Sequence, residues 1–459
     1  MGIITGTQVS LRYAVEATRG TSPGGNWKFL RATGRNINLK KDILESAEVN
    51  TTRQRSDVRH GFNRVEGDLG FEFSLNSHDE ILAYTMGRPH VAMDPADNTQ
   101  VALTGAGSYD GWLQSGKATG VGVSGTVLAT ATAPGTLTFT IGATPGTSTT
   151  THWIDLGYRP GDWVVSAGFT DADYNSGGAN PAQWKIQSIG GVNGGGDLVV
   201  QVPAGTIFTG VAAEAFGAGK SIEMTGRRVS IGTTLNTVSM ERAFVDSTSS
   251  DTYQVFRGCA VNTLNMSIRP EAIVGGTFGF VGMSADIDNA DTGAGTPTTI
   301  GTNSPFAAFD GSATLVNSAG AHMTAIVTGI DFTLDNQRTL FPVVGSKFSQ
   351  DVYEGVAKVT GTVSLLLENV VHLTAFQNEA ALNTITVRLN ELGTTAFTSL
   401  VFCRVKYLGA DMDPPQNGPV VVTCPFEALE QTFTGFASSQ TDVRSKEVFR
   451  IQRSTTNIV

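Results

Sequence analysis

The most regular feature of the sequence is an alternation of apolar and polar residues between Val65 and Asn76. The apolar positions are Val65, Leu69, Phe71, Phe73 and Leu75. The polar positions between them include three carboxylates, Glu66, Asp68 and Glu72. Because side chains alternate between the two faces of a β-strand, this pattern predicts a strand with one buried face and one wet, acidic face.

A short helix is predicted directly after this strand. Ser77 is a suitable N-cap, and Asp79 and Glu80 fall in the first turn. Gly87 suits the position just beyond the C-terminus of such a helix, where the left-handed conformation is common. Ile81 would pack the helix against the sheet.

The same plan returns in the second half of the chain. Gly67 follows Gly34 by 67 − 34 = 33 residues, and Gly361 follows Gly329 by 361 − 329 = 32 residues. Similar alternating runs follow Gly67 and Gly361, and the stretches 237–264 and 384–408 also resemble each other. This period far exceeds that of solenoid repeats, so the sequence predicts two fused copies of one β-module.

We therefore predict an all-β fold with one short helix per module: a duplicated β-sandwich or barrel with a small β-domain inserted into the first copy. The insertion is rich in Gly, Thr and Ala, and its strands are expected at 137–141, 162–166, 183–189 and 197–202. The predicted boundaries are 1–97 with 223–285 for the first module, 98–222 for the insertion, 286–325 for a linker, 326–430 for the second module, and 431–459 for a polar C-terminal arm.

Composition narrows the classes of function. The formal net charge is −10, only 16% of residues are charged, and lysines and arginines form no cluster, so the chain lacks the basic surface of a nucleic-acid binder. The three cysteines are far apart, which argues against a disulfide framework or a zinc site. Neither a signal peptide nor a membrane-spanning stretch is indicated, so we expect synthesis in the cytoplasm and no membrane partner.

Several motifs that suggest binding sites are incomplete. Gly219-Lys220-Ser221 resembles a phosphate-binding loop, but Glu214 occupies the place of the required glycine. The glycines 120, 122 and 125 are followed by no helical pattern that could hold a pyrophosphate. The six histidines are scattered, so we predict no catalytic, cofactor or metal residue among them.

One calcium-like spacing stays open. Asp171, Asp173 and Asn175 have the spacing that begins an EF-hand loop. Ser176 stands in place of the required glycine and Ala182 in place of the bidentate glutamate. An ordinary polar turn is the preferred interpretation, and a weak calcium site in a loop is the alternative.

Three parts of the sequence, 11–87, 226–282 and a segment of the insertion, contain residues that carry a family resemblance. In the first part the residues are Glu16, Thr18, Gly20, Pro23, Trp27, Thr33-Gly34, Leu39-Lys40-Lys41, Glu45-Ser46-Ala47-Glu48, Arg53-Gln54, Asp57-Val58-Arg59-His60-Gly61, Val65 and Gly67-Asp68. The others are 227–232 (RRVSIG), Glu241-Arg242, 256–262 (FRGCAVN) and 156–169 (LGYRPGDWVVSAGF). With these residues the sequence resembles the phage tail tube protein family over most of its length, from about 11 to 430. The resemblance is specific in 11–87 and 226–282, looser in the second copy and absent from the C-terminal stretch.

The resemblance implies a non-enzymatic structural subunit of a siphovirus-type phage tail. Such subunits form a β-sandwich with a flanking helix, and their rings stack into a tube with six domains per ring and four inner strands per domain. A two-module chain would then form a pseudo-hexameric trimer, with a hexamer as the alternative. Twenty-four strands spaced by about 4.8 Å and tilted by about 45° give a barrel roughly 50 Å across, with a lumen near 40 Å.

The resemblance also implies partners and roles for particular residues. The partners would be other copies of the chain, a tape-measure protein, passing DNA without specific binding, and the tail terminator and tip proteins. We predict that Glu66, Asp68 and Glu72 face the lumen, where carboxylates cannot pair with phosphate. Contacts between rings are predicted for Asp42, Glu45, Glu48, Arg53, Arg55 and Arg59.

Two other functions stay open from the sequence. The first is a tail-tip or baseplate ring of the same fold that does not polymerise. The second is a β-rich adhesin or binding module, although aromatic residues make up only 8% of the chain and are not clustered.

Overall fold

A computed structural model gives the structure of the chain. It describes residues 6, 9–46, 57–88, 118–119, 121–127, 135–141, 153–154, 157–177, 181–190, 197–204, 206, 213–215, 217, 219–244, 252–288, 297–298, 301, 303–317, 322–323, 325–368, 370–382, 384–412, 414–433 and 446–454. Strands dominate these residues, so the all-β prediction is confirmed.

The first part of the chain contains β1 (Val9–Val15), β2 (Lys28–Phe29), β3 (Gly34–Glu45), β4 (Val58–Glu72) and α1 (Asp79–Thr85). There follow β5 (Ala118–Thr119), β6 (Val121–Val127), β7 (Gly135–Ile141), β8 (Trp163–Ala167), β9 (Trp184–Gly190), β10 (Asp197–Val202) and β11 (Ser221–Met224). The next strands are β12 (Arg227–Ser230), β13 (Val238–Phe244), β14 (Thr252–Ile268), β15 (Gly275–Gly282) and β16 (Ser284–Asp288).

The second part begins with β17 (Gly311–Val316), β18 (His322–Met323), β19 (Ile326–Asp335), β20 (Thr339–Leu340), β21 (Val352–Tyr353), β22 (Lys358–Leu366) and α2 (Val371–Gln377). It ends with β23 (Thr384–Asn390), β24 (Phe397–Cys403), β25 (Val405–Tyr407), β26 (Asp411–Met412), β27 (Val421–Ala428), β28 (Gln431–Thr432), β29 (Lys446–Glu447) and β30 (Phe449–Arg453).

Eight strand positions form one antiparallel inner sheet that unites the two copies. Their order is β3-β4-β15-β14-β19-β22-β27, with β25 and β26 following one another along the far side of β27. Four positions come from each half of the chain. The halves meet where β14 pairs with β19, from Thr263↔Asp335 to Ile268↔Ile330.

Two outer sheets pack against the inner sheet. Their orders are β2-β1-β13-β14-β16 and β18-β17-β23-β24-β30-β12. One apolar core lies between inner and outer layers and includes Tyr13, Leu69, Phe256, Phe332 and Phe402. β14 serves both layers and changes direction at Gly258, which has a φ of 64°. Arg404, with a φ of 39°, lies at the corresponding place between β24 and β25.

The two copies correspond strand by strand. Ile37 lies opposite Gly67 in the first copy, and Phe332 lies opposite Gly361 in the second. At the ends of these strands, Phe73 N donates to Val274 O at 2.8 Å and Leu367 N donates to Val420 O at 2.9 Å. The glycine spacing found in the sequence therefore marks equivalent positions of two similar sheets.

The strands β5 to β11 form a separate seven-stranded sheet. Its own apolar cluster includes Trp153, Tyr158, Phe169 and Trp184. The strands expected inside the insertion are found within about two residues of their predicted positions, a difference no larger than the usual fraying at the end of an element. The division of the chain into domains at the predicted boundaries stays a prediction.

The predicted C-terminal arm and linker are both wrong in part. β30 lies between β24 and β12 in the second outer sheet, and its Arg453 forms an ion pair with Asp79 of α1. Within the expected linker, β17 pairs with β23, and Phe306 is buried in the core. Both segments are short and rich in polar residues, so their burial depends on partners far away in the chain.

The two helices differ in their surroundings. His78, and not Ser77, is the N-cap of α1, and Gly87 beyond its end has a φ of 64° as predicted. Gly87 N donates to Tyr84 O and Arg88 N to Ala83 O, which completes a Schellman motif. All seven residues of α1 are buried, whereas in α2 only His372 is buried. Among the described residues no helix is long and apolar enough to cross a bilayer.

Candidate functional site

The inner sheet has one polar face, and the predicted acidic strand lies in its first half. Val65, Leu69 and Phe71 of β4 point into the core, and Asp68 and Glu72 are exposed on the opposite side. Cross-strand register extends this polar face over all eight strand positions. Its carboxylates are Asp42, Glu66, Asp68, Glu72, Asp331, Asp335, Asp411 and Glu427, and its basic groups are Lys40, Arg64, Lys358, Lys406 and, just past β14, Arg269, which forms an ion pair with Asp331. Carboxylates therefore outnumber basic groups on this face.

The three predicted carboxylates do not have equal free charge. Glu66 Oε2 lies 2.8 Å from Lys40 Nζ, and its Oε1 lies 2.6 Å from Arg64 Nε. Partial burial raises the pKa of Glu66, but hydrogen bonds from Lys40 and Arg64 outweigh it, and the pKa falls below its ordinary value. Asp68 and Glu72 have no ion-pair partner within the described part of the chain. They are the stronger sources of negative potential on β4.

The second copy is less acidic on its corresponding strand. Thr360, Thr362 and Leu366 of β22 occupy the positions of Glu66, Asp68 and Glu72. The carboxylates of this half come instead from β19, β26 and β27. Between the halves lies a shallow trough of about 690 Å³, and the polar residues in its lining include Asn265, Thr277, Thr333, Thr360 and Thr362.

Both ends of the inner sheet lack a further paired strand among the described residues, although Arg242 Nη2 donates to Arg35 O and Ile37 O of β3, and Leu382 N donates to Val405 O of β25. β3 pairs only with β4, and β25 and β26 pair only with β27. Free N–H and C=O groups along an edge are a template for another strand. The chain already contains one pairing of this kind, between β14 and β19. β19 is the counterpart of β3, and the second half of β14 is the counterpart of β25 and β26. The two unpaired edges of the chain, β3 and β25–β26, are thus counterparts of two strands that pair with each other inside the same chain.

The hairpin of β3 and β4 projects beyond the rest of the sheet. β15 covers β4 only as far as Val65, whereas β4 begins at Val58, so 65 − 58 = 7 residues extend further. Seven residues reach about 23 Å at roughly 3.3 Å each. Ile43 and Leu44 near the tip are 61% and 60% exposed. The projection therefore offers an apolar contact that the sequence analysis did not predict.

The charged residues predicted for contacts between rings fall into two groups. Asp42, Glu45 and Arg59 lie on the projecting hairpin, and Asp42 Oδ1 is 2.5 Å from Arg64 Nη1. Glu48, Arg53 and Arg55 lie outside the described residues.

The corresponding loop of the second copy, 336–357, does not project in this way. It contains the short β20–β21 pair, and Asp351 forms an ion pair with Arg19 at 2.7 Å. Lys347 O accepts a hydrogen bond from Asn63 N of β4 at 2.7 Å. Each chain therefore presents one projecting hairpin and one loop held against the first copy.

A buried ion cluster ties the inserted sheet to the second outer sheet. Asp162 accepts hydrogen bonds from Arg228 Nη1 at 2.6 Å and from Arg450 Nε at 2.9 Å. Glu447 lies 2.9 Å from Arg450 and 3.7 Å from Arg159. None of these side chains is more than 6% exposed.

Glu447 in this cluster is ionised under ordinary conditions. Burial by itself raises the pKa of Glu447, but Arg228, Arg450 and Arg159 outweigh it and hold the pKa at about 2. Sequence reasoning missed this cluster because Asp162 and Arg450 are 288 residues apart and belong to no local motif. Its groups satisfy one another, so it fits a structural role.

The calcium-like residues form a polar turn. Asp171 Oδ1 accepts a hydrogen bond from Asp173 N at 3.0 Å and caps a short 3-10 turn. Asn175 Nδ2 donates to Phe169 O and Asp171 O at 3.0 and 3.1 Å. No group of three potential metal-ligating side chains occurs among the described residues.

Comparison with known proteins places this architecture in a family. No curated protein matches the sequence. A family model described as phage tail tube protein matches the chain twice, over residues 6–187 and 187–435. The double match agrees with two copies in one chain, although its border falls inside the insertion. The matches together cover most of the sequence, and the chain belongs to the phage tail tube protein family.

Proposed function

We propose that this protein is the tube-forming subunit of a siphovirus-type bacteriophage tail. Three protomers close into a pseudo-hexameric ring, and rings assembled in the host cytoplasm stack around a lumen that conducts DNA. The observation that carries the proposal is the inner sheet, in which two equivalent four-strand units are already joined and the same two edges are left open. Joining three such sheets edge to edge removes every open edge of the inner layer.

The internal joint predicts the register of the joint between protomers. Thr333 lies opposite Asn265 where β19 meets β14. Thr333 corresponds to Asn38 of β3, and Asn265 corresponds to Asp411 of β26. Asn38 of one protomer is therefore expected opposite Asp411 of the next.

A cysteine pair tests this register. Opposite residues of antiparallel strands have Cα atoms about 4.5–5.5 Å apart, which is within disulfide range. Oxidation of the variant Asn38→Cys with Asp411→Cys should therefore give covalent dimers and trimers on a non-reducing gel. Both positions are exposed in the protomer, so folding should be unaffected. A ladder that continues to six would replace the trimer by a hexamer.

Thr423 supplies the matched control. It shares the face of Asp411 but lies one strand further inside the sheet. One strand spacing adds about 4.8 Å, which takes the pair beyond disulfide range. Asn38→Cys with Thr423→Cys should therefore stay monomeric on the gel. Annular particles that show no link in the Asn38–Asp411 variant would contradict the proposed joint.

The polar face of the inner sheet is proposed to line the lumen. An excess of carboxylates keeps phosphate from binding, so DNA and the tape-measure protein can pass without specific contacts. Glu66, Asp68 and Glu72 all contribute, with Asp68 and Glu72 the least compensated. The projecting hairpins then reach the next ring, and terminator and tip proteins would close the two ends of the tube.

Charge reversal on this face should slow DNA ejection without preventing tube assembly. Asp68→Lys with Glu72→Lys places cations where DNA passes, and ejection at low salt should slow by roughly an order of magnitude. The deficit should shrink at higher salt because screening weakens the attraction. Asp68→Asn with Glu72→Gln is the control for lost negative charge alone. Wild-type ejection rates in the lysine variant, measured by fluorescent dye release, would rule out this lining.

A further inference from the structure

The two modules differ in how one end of the inner sheet is covered. This end, at which β4 or β22 stops and the helix follows, is called the helix end below. Phe73, just past β4, is fully buried, whereas the corresponding Leu367, just past β22, is 38% exposed. The helix end of the second module thus exposes apolar surface that its equivalent in the first module buries.

In the first module the cover is a segment of the same chain that precedes β17. Phe306 N donates to Phe73 O at 2.8 Å, and Val274 N donates to Phe306 O at 2.8 Å. Its ring lies 5.4 Å from that of Phe73, and Phe306 is only 2% exposed. β-Bridges join its neighbours Pro305 and Ala307 to Ser74 and Ile273. The segment is therefore an added strand with one apolar anchor.

The second module has the same pair of backbone groups, one acceptor and one donor. Leu367 N donates to Val420 O as Phe73 N does to Val274 O. Within the described part of the chain, no hydrogen bond reaches Leu367 O or Val420 N. An apolar groove of about 280 Å³ runs beside α2, lined by residues that include Val370, Val371, Ala375 and Leu382. Val370 and Val371 are 63% and 47% exposed.

Strand register identifies the segment that corresponds to the cover. Tyr13 of β1 lies opposite Met240, which pairs with Phe256. Leu315 of β17 lies opposite Ile385, which pairs with Phe402. The offset between β1 and β17 is 315 − 13 = 302, and β17 begins at Gly311 as β1 begins at Val9, with the same offset.

With this offset, the counterpart of Phe306 in the first copy is residue 306 − 302 = 4. Residue 4 is the apolar Ile4. If the second module is covered in the same way as the first, the cover comes from another protomer. Inside the chain, the segment before β17 belongs to the second module and covers the first module. The two modules are neighbours in the inner sheet because β14 pairs with β19. Across the proposed joint between β25–β26 and β3, the neighbouring module is the first module of the next protomer.

We propose that the segment before β1 of one protomer adds as a strand to Leu367 and Val420 of its neighbour, with Ile4 in the role of Phe306. This inference rests on the proposed ring. It adds a second contact between protomers, on the outer side of the sheet joint, and assigns the exposed groove beside α2 to a second copy of the chain.

Two single variants test the contact. Ile4→Asp and Leu367→Asp should each reduce the fraction of protein in rings about tenfold at a given concentration, measured by mass photometry. The monomers should melt at the wild-type temperature, since Leu367 is exposed before assembly. Leu392→Asp is the matched control, because Leu392 is 76% exposed and lies outside the proposed contact. Normal ring formation by both variants would overturn the proposal.

A cross-link separates this contact from the ring itself. Ile4→Cys with Leu367→Cys should be linked between protomers by a short bis-maleimide, and neither single cysteine should be. A link within one protomer would overturn the proposal, because the occupant would then be the same chain. If Asn38 and Asp411 link while Ile4 and Leu367 do not, the added strand is wrong and the ring stands. If neither pair links, the proposed function fails as well.

Discussion

Replacing Asp162 with asparagine should lower the free energy of unfolding by about 3–5 kcal/mol, because it removes one partner from a buried ion cluster. Arg228 and Arg450 both donate to this carboxylate. Without it, three guanidinium groups share Glu447 alone. A buried charge without compensation costs far more than the net contribution of an intact pair.

Urea unfolding followed by tryptophan fluorescence measures this loss. Trp153, Trp163 and Trp184 lie in or beside the inserted sheet and report on its attachment. Asp42→Asn removes a partner from the half-exposed pair with Arg64, and should cost no more than about 1 kcal/mol. Equal losses in the two variants would show that the buried cluster does not hold the inserted sheet in place.

Replacing Gly67 with alanine should cost about 3 kcal/mol and displace β3 from β4, because the space for a side chain is filled by backbone. A Cβ at this position would lie 1.9 Å from Asn36 O and 2.5 Å from Ile37 Cα. At the equivalent Gly361, a Cβ would lie 2.6 Å from both Asp331 O and the Phe426 ring. Gly361→Ala should be less costly, because a ring can move more easily than a strand.

The effect of Gly67→Ala should appear both in stability and in assembly. β3 is the open edge of the inner sheet, so its displacement should also lower the yield of rings seen by negative-stain microscopy. Gly34→Ala is the control, since its Cβ would meet its nearest atom, Gly70 N, at an ordinary 3.5 Å. A Gly67→Ala protein as stable as Gly34→Ala would contradict the close approach of β3 and β4.

Much of the inner sheet could be predicted from local pattern. The faces of β4 follow from the alternation of apolar and polar residues, because strand geometry fixes a period of two. The duplication follows from the spacing of Gly67 and Gly361, which occupy equivalent crowded positions. The acidic face of β4 in the first copy was also visible. What remained hidden was the supply of carboxylates to the second half from β19, β26 and β27.

The parts that the sequence did not reveal depend on distant contacts. β30 is the counterpart of β16: Ala285 lies opposite Phe256 as Phe449 lies opposite Phe402. An intervening stretch separates β30 from β27, so the repeat ends sooner in the sequence than in the fold. Phe306 lay in a polar stretch without a strand pattern, and its burial depends on the edge groups of Phe73 and Val274.

By itself, the sequence determined that the chain forms strands, which faces of those strands are apolar, and that one β-module occurs twice. These properties depend on neighbouring residues, whose alternation is set by strand geometry. Only the tertiary structure decided that β14 joins β19, that Arg450 meets Asp162, and that α1 is covered while α2 is exposed. Each of these depends on pairing between segments far apart in the chain, where the free energy comes from burying groups that carry no mark of their partner in the local sequence.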